Sequence, residues 1–178
     1  MERIWIVGSG GAGKSTLARS LAARLDMPHV ELDSLYWRSG WQAAPLPEFE
    51  ARIDEALSGS RWVVCGNYRI AQALFLPRAD TVIWLDYPLR VTMWRLLRRT
   101  FQRAWAGDDL WGTGNRETWR KAFLSRDSLL LYVPRTHRRR SASYAFLMDV
   151  PTEGQHWLRF RHPRDARRWL QQVPGAPA

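Results

Sequence analysis

A glycine-rich segment at residues 8–16 has the residue types that bind phosphate. It reads GSGGAGKST, so Gly8, Gly13, Lys14 and Ser15 satisfy the spacing G-x-x-x-x-G-K-[ST]. Glycines let the backbone curl until successive N–H groups point at phosphate oxygens, and the start of a following helix adds positive potential. A lysine at this spacing reaches the β- and γ-phosphates, and the adjacent hydroxyl ligates Mg²⁺. We therefore predict a nucleotide-binding loop for ATP or a close relative, formed by Gly8, Ser9, Gly10, Gly11, Ala12, Gly13, Lys14, Ser15 and Thr16.

A second group of polar and aromatic side chains follows later apolar segments. Asp33 comes just after a predicted second strand, where its carboxylate could order Mg²⁺ through water or accept a proton from an acceptor hydroxyl; a turn or helix-cap aspartate is the alternative. Asn67 and Arg69 follow the third strand and suit an anionic acceptor, although ordinary turn chemistry would also place them there. Tyr36, Trp37 and Trp41 could stack on a base or line the acceptor pocket, and plain packing is the alternative.

A stripe of arginines lies on the predicted helix after the fourth strand. Arg95, Arg99 and Arg103 are spaced by four, so they share one helical face. Like charges at this spacing repel one another, so the helix itself gains no stability from them. We predict that the stripe, with Arg116 and Arg138 beyond a glycine-rich break, closes as a lid over the transferring phosphate. The alternative is a solvated face that reflects arginine-rich coding.

Apolar runs and amphipathic segments alternate along the chain. The predicted strands are 3–7, 29–32, 62–66, 81–85 and 156–160. The predicted helices are 14–25, one beginning at Pro47, 88–105, 117–132, a short one ending at Met148, and 163–172. This alternation predicts an α/β protein with the P-loop NTPase fold: a five-stranded parallel sheet with helices on both faces and a helical lid. Ligands of such sheets bind at the carboxyl ends of the strands.

Composition narrows the class of protein. The net charge of +10 comes almost entirely from arginine. Arginine-rich coding explains most of this excess, but the charge is also compatible with a nucleic-acid partner. Cys65 is the single cysteine, no run reaches the roughly 18 apolar residues of a membrane span, and the chain enters its first strand at once. We therefore expect a cytoplasmic protein without a membrane partner. No cluster of Cys and His suggests a metal site, and His137 is expected on a solvated face.

Several motifs together resemble the small adenylate-kinase-like P-loop kinases, particularly the group called "topology modulation protein". The resemblance covers most of the chain and rests on GSGGAGKST, ELDSLYW, WVVCGNYR, VIWLDYP, RLLRRTFQR and GNRE. It implies that Gly66 and Arg69 bind the acceptor and that Arg95 and Arg99 bind the transferring phosphate. The chain departs from the family at Cys65, where adenylate kinases have an aspartate suited to hydrated Mg²⁺. It also departs at Tyr68, which replaces a family proline, so specificity for AMP is not implied.

The sequence thus predicts one P-loop kinase domain over residues 1–178, with an acceptor-binding region at about 33–76 and a lid at about 99–140. We expect it to transfer a phosphoryl group from ATP, with Mg²⁺, to a nucleotide or another small, anionic acceptor. Lys14, Asp33, Arg95 and Arg99 are the candidate catalytic residues, and Ser15 and Asp33 the candidate metal residues. The alternatives are a nucleic-acid-associated ATPase or end kinase and a nucleotide-dependent binding protein with little turnover.

Overall fold

The central element is a five-stranded parallel sheet. The computed structural model describes residues 1–107, 109–116, 118–119 and 128–176. The sheet strands are β1 Arg3–Gly8, β2 His29–Glu31, β3 Trp62–Cys65, β4 Thr81–Leu85 and β5 His156–Phe160, in the order β2-β3-β1-β4-β5. The register pairs Glu31 with Cys65 and Gly8 with Leu85, so the carboxyl ends of four strands meet at one edge. The predicted α/β fold and sheet are confirmed.

Helices cover both faces of this sheet because its strands are apolar on both sides. The helices are α1 Lys14–Leu25, α2 Leu32–Tyr36, α3 Leu46–Ala56, α4 Arg69–Phe75, α5 Leu89–Ala106, α6 Leu129–Asp149 and α7 Pro163–Gln172. In β1, Ile4 and Ile6 pack toward α1 and α7, whereas Trp5 and Val7 pack toward α3, α4 and α6. None of the described helices combines the length and apolar character that a bilayer crossing requires.

Two antiparallel pairs of two-residue strands lie outside the main sheet. One joins Trp37–Arg38 to Gln42–Ala43 across the turn Ser39–Trp41, and the other joins Asp109–Leu110 to Asn115–Arg116. The buried Asn115 side chain links them, because its Oδ1 accepts from the Trp41 backbone N–H at 2.7 Å and its Nδ2 donates to the Arg38 carbonyl at 2.8 Å. The glycine-rich break is therefore attached to the region after α2.

The predicted division of residues 117–148 into two helices is wrong where it can be compared. Residues 117 and 120–127 lie outside the described residues, but α6 is one helix of 21 residues that passes through the basic segment. Ser128 caps its start, and Pro134 lies inside it near that end, where it removes only one backbone hydrogen bond. The apolar positions beyond Pro134 pack on the sheet, and this tertiary contact outweighs the local helix-breaking signal.

The second strand also ends earlier than predicted, because Leu32 begins α2 instead of closing β2. Leu32 is fully buried beneath Gly66, where a Cβ atom would lie only 2.7 Å from the Leu32 Cβ. Asp33 therefore lies in the first turn of a short helix, and Glu31 is the last residue of the strand.

Candidate functional site

The glycine-rich loop joins β1 to α1 at the carboxyl edge of the sheet. Gly8 has φ +143°, and a Cβ there would lie 2.6 Å from the Leu85 carbonyl oxygen. Gly11 has φ +80°, and a Cβ there would lie 2.3 Å from the Thr92 carbonyl oxygen on α5. Both positions therefore require glycine on conformational and steric grounds. The loop closes with a hydrogen bond of 3.1 Å from the Ala12 N–H to the Ser9 carbonyl, and Thr16 is exposed on the first turn of α1.

Lys14 folds back over this loop. Its Nζ donates to the Ser9 carbonyl at 3.2 Å. Burial lowers the pKa of Lys14 to about 8; the negative charge of Asp33 opposes this shift, and the positive charges of Arg140 and Arg99 add to it. Burial thus disfavours the charged form of Lys14, and nearby negative charge, as on a polyphosphate, would stabilise that form.

Ser15 contacts a carboxylate that the sequence analysis did not single out. Its Oγ donates to Glu31 Oε1 at 2.7 Å, at the end of β2. The Cys65 thiol lies 3.8 Å from the same hydroxyl and 3.6 Å from His29 Nε2. Burial, with the charge of Glu31, raises the pKa of Cys65 to about 12, so this thiol stays neutral. A carboxylate at the carboxyl end of a short parallel strand was the signal that could have identified Glu31, because ligands of such sheets bind at that end.

Two oxygen atoms at this position suit Mg²⁺. The ion prefers hard oxygen ligands and keeps several of its waters, and the Ser15 hydroxyl and Glu31 carboxylate supply such oxygens side by side. The neutral Cys65 thiol does not. The described part of the chain contains no group of three or more His, Cys, Asp or Glu side chains that could hold a metal by themselves.

Asp33 contacts an aromatic cluster, and its charge acts on Lys14. Its Oδ1 accepts from the Tyr68 hydroxyl at 2.7 Å. Burial, followed by the charge of Asp33, raises the pKa of Tyr68, so the phenol remains a donor. The Tyr68 ring lies 4.6 Å from that of Tyr36, which lies 4.9 Å from that of Trp37. Tyr36 and Trp37 are therefore packed together beside Asp33, and both are half-buried.

The residues after β3 divide between the loop and the surface. Gly66 is buried, and its carbonyl accepts from Trp5 Nε1 at 3.2 Å. Asn67 Nδ2 donates to the Gly8 carbonyl at 2.6 Å, so this side chain contacts the phosphate loop directly. Arg69 is the first residue of α4 and is exposed.

The predicted lid arginines do not form one group. Arg95 NH1 donates to the Ala12 carbonyl at 3.1 Å, so Arg95 binds the phosphate loop itself. Arg99 and Arg103 are half-buried on α5, and the charge of Arg99 reaches Lys14. The side chains of Arg116 and Arg138 are exposed. A further arginine that the sequence analysis did not select, Arg140 of α6, acts electrostatically on Lys14.

The expectation that His137 lies on a solvated face is wrong. Its Nδ1 lies 2.8 Å from Ser9 Oγ, and the side chain is half-buried. This contact exists because the single helix α6 carries the basic segment across the phosphate loop. The two separate helices predicted from the sequence would not bring His137 to Ser9.

Three solved structures with a similar fold are named as kinases. A shikimate kinase from Acinetobacter baumannii in complex with shikimate is 17% identical with a TM-score of 0.59, covering 97% of this chain and 90% of that one. A shikimate kinase from Bacteroides thetaiotaomicron is 14% identical with a TM-score of 0.56, covering 97% and 96%. A sugar kinase from Janibacter sp. is 14% identical with a TM-score of 0.50, covering 98% and 96%. The fold is therefore the P-loop NTPase fold that these structures share, while the adenylate-kinase-like subgroup stays a prediction.

Sequence comparison gives one relative that covers most of the chain. The chain matches no model of a known protein family. A shikimate kinase from Nitratidesulfovibrio vulgaris is 29% identical over 111 residues, which cover 54% of this chain and 63% of that one. The uncharacterized protein YqaC of Bacillus subtilis is 30% identical over 134 residues, which cover 72% of each chain. With a P-loop kinase fold and this extent of similarity, the chain belongs to the same family as YqaC.

Proposed function

We propose that this protein is an ATP- and Mg²⁺-dependent phosphotransferase that acts on a hydroxyl group of a small acceptor. The observation that carries the proposal is the group of side chains at the glycine-rich loop: Lys14 lies against the Ser9 carbonyl, Asp33 acts electrostatically on Lys14, and the next residue, Ser15, is paired with Glu31. Shikimate kinases among its relatives and structural neighbours, together with a sugar kinase of similar fold, support a nucleotide-dependent kinase in general.

On the donor side, the loop N–H groups and Lys14 bind the β- and γ-phosphates. Ser15 and Glu31 would hold Mg²⁺, which when bound neutralises phosphate charge. Because Lys14 is partly stripped of water, its charge acts more strongly on a nearby phosphate than an exposed lysine would. Arg99 and Arg140 add positive charge on the same side, where negative charge develops as the γ-phosphoryl group moves.

On the acceptor side, Asp33 is the proposed base. The acceptor oxygen bonds to the γ-phosphorus, the bond from that phosphorus to the leaving oxygen of ADP breaks, and the hydroxyl proton passes to Asp33 Oδ2. Tyr68 fixes the carboxylate by donating to Oδ1. Tyr36 and Trp37 form the proposed wall of the acceptor site, with Arg69 at its mouth for an anionic group of the acceptor.

An acceptor screen tests this proposal. ADP release is followed with Mg²⁺-ATP and a panel of hydroxylated acceptors, including shikimate, simple sugars and nucleoside monophosphates, each against the background without acceptor. We expect at least one acceptor to raise ADP release in the wild-type protein and not in Lys14→Met. ATP binding without stimulation by any acceptor would instead support a binding protein with little turnover.

Arg69→Ala is expected to raise the KM for the acceptor by about tenfold and to change the KM for ATP little, because an exposed guanidinium after β3 would pair with an anionic acceptor. Steady-state kinetics with both substrates varied measure this difference. Arg61→Ala, an exposed arginine before the same strand, is the control. Equal effects of Arg69→Ala on both Michaelis constants would place Arg69 outside the acceptor site.

The two candidate arginines of α5 should differ in effect. Arg99→Ala is expected to lower the maximal rate by about tenfold or more with ADP affinity little changed, because its charge reaches Lys14 and would act mainly on the charge that develops on the transferring phosphate. Arg95→Ala should also weaken ADP binding, because it removes the hydrogen bond to the Ala12 carbonyl. Arg98→Ala, exposed between them, is the control. A normal rate in Arg99→Ala would assign that arginine to a solvated face.

Nucleotide binding should take up a proton above pH 8. The pKa of Lys14 is lowered to about 8 in the unliganded protein, so the ammonium is largely lost as pH rises beyond that value. Phosphate charge should raise this pKa again, so binding at about pH 8.5 takes up most of one proton and binding at about pH 7 takes up little. Calorimetry of ADP binding in two buffers of different ionisation enthalpy measures the uptake. The same uptake in Lys14→Met would assign the proton to another group.

A nucleic-acid-associated activity is the second candidate, favoured by one surface. Trp94, Phe101 and Trp105 are 69%, 53% and 79% exposed on one face of α5, next to the exposed Arg90. Aromatic rings beside a cation can stack with unpaired bases and bind phosphate. Affinity for a single-stranded oligonucleotide at about 200 mM salt, lost in Trp105→Ala, would support this function. Binding that disappears at that salt in the wild-type protein would reject it.

A further inference from the structure

A chain of two hydrogen bonds connects α6 to the start of the phosphate loop. The Tyr144 hydroxyl donates to Asn67 Oδ1 at 3.0 Å, and Asn67 Nδ2 donates to the Gly8 carbonyl at 2.6 Å. Tyr144 is only 5% exposed, and its ring packs against those of Trp5 and Trp84. The phenol is therefore held in place by its ring, independently of its hydroxyl.

The direction of both bonds follows from chemistry. The Gly8 carbonyl can only accept, so the amide nitrogen of Asn67 must face it and the amide oxygen must face Tyr144. Burial raises the pKa of Tyr144, so its phenol is neutral and has a proton to donate. Each group thus fixes the orientation of the next, from the helix to the loop.

The same face of α6 contacts the next two loop residues. Val133, His137 and Tyr144 lie within about 40° of one another around a helix with 100° per residue. A Cβ at Gly10 would lie 2.7 Å from Val133 Cγ2, and Ser9 Oγ lies 2.8 Å from His137 Nδ1. The first three loop residues are therefore backed by one helix face, with Asn67 as the intermediate at Gly8.

We propose that Tyr144 is a positioning residue that acts through Asn67 to fix the Gly8 carbonyl, and so sets the loop geometry that binds the nucleotide. Gly8 is the point at which β1 turns into the loop, and its positive φ makes the direction of its peptide group decisive for the N–H groups that follow. The inference rests on the proposed function, because it assumes that the loop binds nucleotide phosphates. It assigns Asn67 to the loop rather than to the acceptor.

A double-mutant cycle tests this inference. Tyr144→Phe keeps the ring packing and loses only the hydroxyl, Asn67→Ala removes both bonds, and the third variant combines them. Binding of ADP with Mg²⁺ is measured by calorimetry, and thermal unfolding is measured alongside. We expect each single variant to weaken ADP binding by about fivefold to tenfold, and the double variant to bind no more weakly than Asn67→Ala, because the effects share one pathway.

Thr81→Val is the matched control. It removes a buried hydroxyl that donates to Asp80 at 2.7 Å, at the opposite end of the sheet, so it reports the effect of lost stability alone. Asn67→Asp, which keeps the acceptor for Tyr144 and loses the donor to Gly8, should weaken ADP binding at least as much as Asn67→Ala, because its carboxylate also repels the Gly8 carbonyl and the phosphates. Wild-type ADP affinity in Tyr144→Phe, or additive losses in the double variant, would overturn the inference. Failure of the wild-type protein to bind ADP would instead overturn the proposed function, and this inference with it.

Discussion

Replacing Lys14 with methionine is expected to lower ATP-dependent turnover by about 100-fold or more. Methionine keeps much of the length of the side chain but removes the charge that the proposal places between the phosphates. Because Lys14 Nζ donates to the Ser9 carbonyl, the ammonium already lies against the loop before nucleotide arrives. Turnover with the best acceptor of the screen, compared at saturating Mg²⁺-ATP, measures the loss. Wild-type turnover in this variant would reject the loop as the catalytic site.

The stability of the same variant separates a functional loss from a folding defect. The pKa of Lys14 in the folded protein, about 8, is lower than its ordinary value of 10.5, so at pH 7 folding disfavours the charged lysine. Lys14→Met should therefore melt at the same temperature as the wild type or higher near pH 7. The stability advantage of Lys14→Met over the wild type should shrink as pH rises from about 8 to 10.5, because the wild-type lysine becomes neutral in the folded state over this range. A large loss of stability would attribute the lost turnover to unfolding.

The sheet and the phosphate loop could be predicted because their signals are local. Each sheet strand is a short apolar run, and Gly8, Gly13, Lys14 and Ser15 carry the loop in one stretch of chain. The helices α1, α5 and α7 also lie within one or two residues of their predicted positions, because their apolar residues recur with helical spacing.

The parts that sequence reasoning missed depend on tertiary contacts. Pro134 and the run of arginines look locally like a break, yet α6 continues through them because its later apolar residues pack on the sheet. The contacts of His137 with Ser9 and of Tyr144 with Asn67 follow from that continuity. No local spacing connects residues so far apart in the chain, so these contacts required the structure.

Glu31 and Asp33 show the same difference on a smaller scale. From the sequence, Asp33 is expected to have both the metal and the acceptor role, because it lies just after a predicted strand that includes Leu32. In the structure the strand ends at Glu31, and it is Glu31 that accepts from the Ser15 hydroxyl. Asp33, turned away by the first residues of α2, accepts from Tyr68 instead. The strand ends one residue earlier than predicted, and the two carboxylates therefore have different proposed roles: Glu31 at the metal and Asp33 at the acceptor.

The separate roles of Glu31 and Asp33 can be tested by replacing each carboxylate with its amide. Glu31→Gln keeps the shape of the side chain beside Ser15 but loses its charge, so it should raise the Mg²⁺ concentration required for half-maximal turnover. Binding of ADP without Mg²⁺ should change little, because Glu31 has no proposed contact with the phosphates. Cys65→Asp would add a carboxylate near the same hydroxyl. Its Mg²⁺ concentration for half-maximal turnover shows whether a second negative charge strengthens metal binding.

Asp33→Asn is expected to lower the maximal rate by about 100-fold while the KM for ATP and the Mg²⁺ requirement stay near wild type. The amide keeps the shape of the carboxylate and an oxygen for the Tyr68 hydroxyl, but it cannot take the acceptor proton. Tyr68→Phe is the companion variant: it keeps the base and removes only the group that orients it, so its loss of rate should be smaller. Full activity in Asp33→Asn would show that another group takes the proton. Asp86, the next carboxylate at this edge of the sheet, is already bound by Arg159 at 2.6 Å and by Ser141 at 2.7 Å, which is why we place the base at Asp33.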